Sequence, residues 1–518
     1  MRLDRRKFLG LAGVTGMGAA VAGFSTAPAW ATPKFTGNPF TLGVASGDPL
    51  PNGVVLWTRL APEPLAADGR GGMPDRVIPV HWEVAEDERF GRVVARGVER
   101  ATPELGHSVH AEVGRLRPGR EYFYRFRAGR EISPVGRTRT APEAWAGNDG
   151  LRFAFASCQN LPAGFYTAYR HMVQEDLDLV VFLGDYIYEG GGQGTIGRGH
   201  LPNAEVFSLA DYRVRHANYR SDADLQAAHA AFPWLMTWDD HEVENNYADE
   251  ISEDPAQTPE AFLRRRAAAY QAYYEHLPLR RAAFPQGPDM RLYRRVKYGR
   301  LAEFSVLDGR QYRSDQCDAT TQPCDPADPS RTMLGEEQER WLLDGLARSR
   351  STWNVIAQQT VIAQNDTDPG PGKQLSTDNW NGYQAARQRL FDGVLERGVD
   401  NFVVITGDAH RSMVADLKQN FDDPSSRTVG AEFLGTSISS GGDGADLDAT
   451  CRNWLAANPH VKFANARRGY VRCSLSPDEF RTDYRVVQYV TTKDSPIKTQ
   501  ASFVVENGRP GAQVDSIQ

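Results

Sequence analysis

Apolar runs that end in metal-ligand side chains constrain the fold of this chain more than any other feature. The clearest run is residues 179–183, five large apolar residues that lead directly into Gly184, Asp185 and Tyr188. An apolar run without alternation indicates a strand that is covered on both faces of an α/β sheet. Ligands of such sheets bind beyond the carboxyl ends of the strands, so Asp185 and Tyr188 are predicted to lie where chemistry takes place.

Four further apolar runs end in residues of the same kind. They lead into Cys158, into Asp240 and His241, into Arg310, and into Asp408 and His410. If the five strands are parallel, these side chains meet at one edge of one sheet. Thiolate, carboxylate, phenolate and imidazole groups that converge there can hold a metal cluster.

Each motif also has a plainer interpretation. Residues 408–410 could form an ordinary Gly-Asp turn, and residues 239–242 could form a salt-bridged surface turn. Cys158 could be a buried structural cysteine, and Arg310 could be the partner in a structural ion pair instead of a two-pronged phosphate ligand. The metal hypothesis therefore depends on the joint placement of the motifs.

The ligand types indicate which metal chemistry to expect. A phenolate from Tyr188 together with a thiolate favours a trivalent, strongly Lewis-acidic ion such as iron(III) over zinc. Asp185 could bridge to a second ion, and with Asp240, Asp408 and His410 it would complete a two-metal hydrolytic centre. The nucleophile would then be metal-bound hydroxide, and His241 is the candidate acid for the leaving group. The sequence contains no Gly-x-x-x-x-Gly-Lys-Ser/Thr motif, no convincing Gly-x-Gly-x-x-Gly after a strand, and no Gly-x-Ser-x-Gly elbow.

The N-terminus has the pattern of a twin-arginine export signal. Arg5 and Arg6 precede a Gly- and Ala-rich apolar run, and an Ala-x-Ala pattern ends at Ala31. A membrane anchor is the weaker interpretation, because the run falls short of the ~20 apolar residues that span a bilayer. Residues 1–31 hold four basic residues and one acidic residue, so their removal changes the net charge from −7 to −10. An acidic mature chain gives no indication of nucleic-acid binding.

Five cysteines fit an exported protein. Cys317 and Cys324 flank one loop, and Cys451 and Cys473 both lie in the last quarter, so two disulfides are possible in an oxidising compartment. Cys158 is then left over, which is compatible with a metal thiolate.

The chain divides by pattern into two regions after the signal. Short strands separated by Gly and Pro turns predict an all-β sandwich over residues 32–148, with a linker at 141–150. Strands and helices alternate from residue 149 onward, with one helix predicted over 209–229. Strands near 431–440, 469–475 and 484–490 are predicted to complete a second sheet. The Gly-rich segment 190–199 is either a mobile loop of the active site or an ordinary solvated turn.

The ordered motifs resemble the PhoD-type alkaline phosphatase and phosphodiesterase family, which is related to the purple acid phosphatases. The matching stretches extend over most of the chain and are residues 156–159, 183–189, 238–242, 307–313, 406–410 and 436–442. This resemblance implies a fibronectin-like sandwich followed by a four-layer α/β/β/α metallophosphoesterase domain.

The resemblance also implies one iron(III) and calcium ions in the site. It places iron on Asp185 and Tyr188, and the carboxylates of Asp240 and Asp408 stand where related enzymes have asparagine and histidine, which suits calcium. The histidine that the wider superfamily has after the preceding strand is replaced here by Gln358 and Gln359.

We therefore expect a secreted or periplasmic enzyme that uses the twin-arginine machinery and has no stable membrane span. It would hydrolyse phosphomonoesters, and phosphodiesters as well, at alkaline pH. One alternative is a phospholipase D-like phosphodiesterase with the same centre. Another is a non-catalytic cell-surface binding protein, which the retained ligand set disfavours.

Overall fold

The computed structural model describes residue 35 and residues 37–317 and 323–518. The predicted signal, residues 1–31, lies outside this range. The described chain contains three sheets. The largest has ten strands, in the order β22 (Gln513–Ile517), β21 (Ile497–Glu506), β20 (Glu479–Val487), β19 (Arg468–Leu475), β9 (Leu151–Ala156), β10 (Leu179–Leu183), β11 (Pro233–Thr237), β1 (Val44–Leu50), β2 (Gly53–Arg59) and β5 (Ser108–Val113).

The second sheet has seven strands. Its order is β12 (Arg294–Tyr298), β13 (Ala302–Val306), β14 (Trp353–Ala357), β15 (Phe402–Thr406), β17 (Thr428–Leu434), β16 (Ser412–Lys418) and β18 (Val461–Asn465). Strands β13, β14, β15 and β17 run parallel, as do β9, β10, β11 and β1 in the first sheet. The carboxyl ends of each parallel set therefore share one edge.

The third sheet is small and belongs to the N-terminal region. Its strands are β4 (Val93–Ala101), β3 (Ile78–Ala85), β6 (Glu121–Ala128) and β7 (Glu131–Ile132), with β8 (Gly136–Arg139) also paired to β6. It packs through Val80, Tyr124 and Phe126 onto Leu56 and Val109 of the ten-stranded sheet. The N-terminal sandwich thus uses β1, β2 and β5 as its second layer, and these strands continue the large sheet.

In the part of the chain that the structure describes, seven helices cover the outer faces of the two large sheets. They are α1 (Thr167–Met172), α2 (Leu209–Arg220), α3 (Ala223–Ala231), α4 (Pro259–His276), α5 (Gly335–Arg348), α6 (Gln384–Glu396) and α7 (Ala449–Ala457). The single helix predicted over 209–229 is divided, because the side chain of Asp222 accepts hydrogen bonds from the backbone N–H groups of Asp224 and Leu225 and caps a new helix.

The core has the four layers of an α/β/β/α fold. Phe155 and Val181 of the first sheet meet Phe304 and Ile405 of the second in one buried cluster. The opposite face of the first sheet packs against α1 to α4, and that of the second sheet packs against α5 to α7. This arrangement confirms the predicted fold class and explains why the central strands are apolar on both faces.

Two topological expectations were wrong. The five strands that carry the motifs do not belong to one sheet, since β9, β10 and β11 are in the first sheet and β13 and β15 are in the second. Of the three late strands, only β17 joins the second sheet, while β19 and β20 extend the first. Strands that are buried on both faces look alike in sequence, so their pattern does not say which of two stacked sheets they join.

The structure confirms one predicted disulfide and contradicts the other. Cys317 and Cys324 are bonded, whereas Cys451 and Cys473 are free and buried. Cys473 faces the core between the two sheets, and Cys451 belongs to the core outside the second sheet. The two thiols lie in separate layers, so a bond between them would have to pass through a sheet.

Candidate metal centre

The predicted ligand residues sit in backbone turns of an unusual kind. The backbone φ angles are 59° at Cys158, 57° at Asp185, 67° at Asp408 and 53° at His410. Such left-handed conformations cost on the order of 1 kcal/mol or more for a residue with a side chain, and they cluster at functional sites. Gly184, which has φ 108°, leaves no room for a side chain, because a Cβ there would lie 2.6 Å from the backbone nitrogen of Asp239.

One donor group contains a thiol, a carboxylate, a phenol and an imidazole. Ligand atoms of Cys158, Asp185 and His410 all lie within 4.8 Å of one another. The hydroxyl oxygen of Tyr188 is 2.8 Å from Oδ2 of Asp185 and 3.0 Å from Nε2 of His410. Cys158 follows β9, and Asp185 and Tyr188 follow β10, so the first sheet brings these three residues together. His410 follows β15 and comes from the second sheet.

The chemistry of this group fits a bound cation. Oδ1 of Asp185 is buried and has no hydrogen-bond partner in the described part of the chain. Burial raises the pKa of the Cys158 thiol and of the Tyr188 phenol well above their usual values, and the neighbouring Asp185 raises both further. A cation would supply the missing partner and the positive charge that thiolate and phenolate ligands need. The donor set thus suggests a metal cofactor.

A second group is rich in carboxylates and shares Asp185 with the first. Ligand atoms of Asp185, Asp240 and His241 lie within 4.8 Å of one another. Oδ2 of Asp240 is 3.5 Å and Oδ1 of Asp408 is 3.7 Å from Nη2 of Arg310. Asp240 and Asp408, both predicted metal ligands, therefore lie close together beside one guanidinium. Carboxylate oxygens of this kind are the ligands that hard cations prefer.

Arg310 lies in this group, but carboxylates already occupy its donors. Its fully buried side chain pairs with Asp239 through Nε and with Asp378 through Nη1 at 2.6 Å. These contacts correspond to the plainer interpretation, a buried ion pair. Asp378 was missed by the sequence reasoning, because it lies in a loop with no apolar run before it. Arg313 binds the same carboxylate at 2.9 Å.

His241 is held by a residue that the sequence reasoning had left without a role. Nδ1 of His241 is 2.7 Å from Oε2 of Glu189, whose other oxygen accepts a hydrogen bond from the backbone of Asn245. The ring lies against Tyr188, with 4.2 Å between the ring centres. Burial alone would lower the pKa of His241, but Glu189, Asp185 and Asp240 outweigh it and hold that pKa well above the usual value.

Two further buried residues join the strand ends to one another. The carboxylate of Glu242 accepts hydrogen bonds from the backbone nitrogens of Asp185, Tyr186 and Asp239 at 3.1, 2.6 and 2.8 Å. The amide nitrogen of Gln359 donates to the carbonyls of Trp238 and Leu307. Both side chains fix backbone geometry around the donor groups.

Comparison with known proteins gives one consistent family. The model described as "PhoD-like phosphatase" matches residues 153–484, and the model described as "PhoD-like phosphatase, N-terminal domain" matches residues 25–142. Together these matches include every residue of both donor groups.

Two relatives are similar over nearly the whole chain. Alkaline phosphatase D of Bacillus subtilis (strain 168) is 51% identical over 519 aligned residues, which cover 98% of this chain and 88% of that protein. A solved structure titled "Structure of PhoD" is 52% identical, covers 94% of both chains and has a TM-score of 0.90. None of the helices in the described part of the chain has the length and apolar character that a membrane span requires.

Proposed function

The chain belongs to the PhoD-like phosphatase family, and we propose that it is an exported, metal-dependent alkaline phosphatase that hydrolyses phosphomonoesters and also phosphodiesters. Its similarity to alkaline phosphatase D makes it a phosphoric ester hydrolase with phosphate esters as substrates. The alternative of a non-catalytic binding protein has no support in these comparisons. The observation that carries the proposal is that two donor groups of different chemistry share Asp185.

The donor types support an assignment of the metals. The thiol, phenol and imidazole of Cys158, Tyr188 and His410, with Asp185, suit iron(III). The carboxylates of Asp185, Asp240 and Asp408 suit calcium. Asp378 lies beside the same guanidinium of Arg310 as Asp240 and Asp408, so it is a further candidate calcium ligand. Cations held there would lower the pKa of a coordinated water and neutralise charge on a phosphate ester.

The residues around the cations would do the remaining work. His241 would donate a proton to the leaving alcohol, and the contact with Glu189 leaves its Nε2 free for that transfer. Arg310 was predicted to bind phosphate. For that contact a cation would have to bind the carboxylate of Asp378, so that the guanidinium of Arg310 is no longer paired with it. Until then Arg310 holds Asp239 and Asp378 in place.

Metal analysis combined with two substrates tests the proposal. The mature protein, purified without added metal, would be analysed by mass spectrometry and assayed with p-nitrophenyl phosphate and with its bis-ester, before and after chelation. We expect about one iron per chain with calcium, and activity that is lost on chelation and restored by both ions. Metal-free protein with full activity would contradict it. A strong preference for the bis-ester would favour the phospholipase D-like alternative.

Export and domain division are proposed on sequence grounds. Residues 1–31 would direct twin-arginine export to the periplasm or the medium, and residues 32–148 and 149–518 would be the sandwich and the catalytic domain. Replacing Arg5 and Arg6 by lysine should leave the protein in the cytoplasm with its activity intact. Continued export of the double variant would exclude this route, because the lysines preserve charge and change only the motif.

A further inference from the structure

Two buried arginines without an acidic partner lie behind the first donor group. The side chain of Arg215, on α2, is fully buried, and that of Arg468, at the start of β19, is 5% exposed. Among the residues that the structure describes, neither guanidinium pairs with a carboxylate. Burying an unpaired guanidinium costs free energy unless its N–H groups find acceptors. The acceptors here are backbone carbonyls in segments that carry metal-ligand candidates.

Arg215 fixes the segment that contains Tyr188. Its guanidinium donates to the carbonyl of Tyr188 and, at 2.8 Å, to that of Gly190. The remaining donors reach the carbonyls of Leu201, Pro202 and Ala204 at 3.2, 2.8 and 2.9 Å. One turn later on the same helix, the hydroxyl of Tyr219 accepts a hydrogen bond from the backbone nitrogen of Tyr188. Helix α2 thus holds the peptide groups on both sides of Tyr188.

Arg468 fixes the segment that contains His410. It donates to the carbonyl of His410 at 2.5 Å and to those of Gly442 and Gly441 at 2.7 and 3.2 Å. The backbone of His410 is in the left-handed region, so a charge-assisted bond to its carbonyl stabilises a conformation that is otherwise costly. Ser440, next to the glycines, contacts the hydroxyl of Tyr188 at 2.7 Å. Arg468 therefore orders two sides of the donor group.

We propose that Arg215 and Arg468 are positioning residues for the iron site, which makes this inference rest on the proposed function. Tyr188 and His410 come from different sheets, and their donor atoms are 3.0 Å apart. Ligands about 2 Å from one ion have separations of this size. A guanidinium can bridge several carbonyls because its donors form a planar fork, which the single ammonium of lysine cannot reproduce.

A third buried arginine provides the matched control. Arg59 is fully buried and likewise lacks a carboxylate partner among the described residues. It donates to the carbonyls of Gly106 and Gly69 at 2.8 and 2.6 Å, and its Nη1 is 2.7 Å from Nε2 of His276. None of these partners belongs to a donor group. Arg59→Lys therefore reproduces the loss of buried carbonyl contacts without touching Tyr188 or His410.

The experiment compares Arg215→Lys, Arg468→Lys and Arg59→Lys in the full mature protein. Iron affinity would be measured by competition with a chelator of known affinity, together with the visible spectrum and the melting temperature of the metal-free protein. We expect at least tenfold weaker iron binding and an altered visible band for Arg215→Lys and Arg468→Lys, as for other residues that orient metal ligands. Arg59→Lys should lower the melting temperature and leave iron affinity within twofold of wild type.

Three outcomes would overturn the inference or a part of it. Equal iron affinity in all three variants would reduce both arginines to general structural roles. If Arg215→Lys does not fold, Tyr219→Phe removes the hydroxyl that accepts a hydrogen bond from the backbone of Tyr188 and that also contacts Nε2 of His200. An unchanged visible band in that variant would reject the part played by α2. Wild-type protein that binds no iron would reject the proposed metal centre itself, whereas the first two outcomes, with iron bound to the wild type, reject only the positioning roles.

Discussion

The carboxylate of Glu189 accepts a hydrogen bond from Nδ1 of His241 at 2.7 Å, and this leaves Nε2 as the free nitrogen of the ring. We expect Glu189→Gln to lower kcat about tenfold, because glutamine has one acceptor oxygen for the two hydrogen bonds that Glu189 accepts, from His241 and from the backbone of Asn245, and it does not stabilise an imidazolium. His241→Asn should cost roughly a hundredfold or more, the usual range for general acid catalysis. The measurement is kcat for a series of aryl and alkyl phosphates.

The dependence on the leaving group separates an acid from a ligand. A nitrophenolate leaves without protonation, so the loss in both variants should be small for p-nitrophenyl phosphate and large for an alkyl phosphate. An equal loss for every substrate, together with lower metal content, would assign His241 to the metal and not to proton transfer.

Tyr188→Phe should abolish visible absorbance of the iron-containing protein. The phenol oxygen lies 2.8 Å from Asp185 and 3.0 Å from His410, so a cation bound by those residues would have the phenolate as a ligand as well. Phenolate-to-iron charge transfer is the source of such a band, and phenylalanine cannot provide it. A control variant, Tyr186→Phe, removes the hydroxyl of another buried tyrosine in the same turn, which contacts His229 and Arg220 instead. A band that survives unchanged in Tyr188→Phe would exclude Tyr188 from the metal.

The sequence predicted the donor groups because their signal is local. In Cys158, Asp185 and His410 the ligand follows an apolar run directly, and the strand itself delivers the side chain to the sheet edge. The partners of these ligands carry no such signal. Asp378 and Arg215 reach the site from a loop and a helix, through contacts between parts of the chain that are distant in sequence and carry no local pattern.

Two of the three errors in the fold also come from contacts between distant parts of the chain. An apolar strand is equally compatible with either of two stacked sheets, so β19 and β20 were assigned to the wrong one. The sharing of β1, β2 and β5 between the sandwich and the large sheet depends on the parallel pairing of Ser46 with Pro233, a contact between distant parts of the chain. The break between α2 and α3, in contrast, has a local signal in the sequence, because Asp222 is a typical N-cap residue.

Thiol titration should distinguish the cysteine pairing of the structure from the pairing expected first. Under denaturing, non-reducing conditions we expect three free thiols per chain, from Cys158, Cys451 and Cys473, because only Cys317 and Cys324 are bonded. Ser replacement of Cys451 and of Cys473 should each lower the count by one. A single free thiol in the wild type would indicate that Cys451 and Cys473 form a bond after all.

Several histidines are buried in the neutral form, and their contribution to stability should fall on mild acidification. Burial lowers the pKa of His110 to about 4, of His216 to about 3 and of His460 to about 4, and both ring nitrogens of His216 lack a hydrogen-bond partner among the described residues. Above pH ~6.5 these rings are neutral in both the folded and the unfolded chain. Below pH ~6.5 the histidines of the unfolded chain become protonated, whereas the buried histidines of the folded chain stay neutral. Their contribution to the free energy of unfolding therefore decreases.

Each such histidine should remove on the order of 3 kcal/mol from the free energy of unfolding between pH ~6.5 and 4. Denaturant unfolding of the metal-free protein at several pH values would measure this loss without interference from metal release. In His460→Gln the amide can still donate to the carbonyl of Gln364, which His460 contacts at 2.7 Å, so the variant should show a shallower pH dependence. A pH dependence in His460→Gln that equals that of the wild type would mean that His460 titrates normally in the folded state.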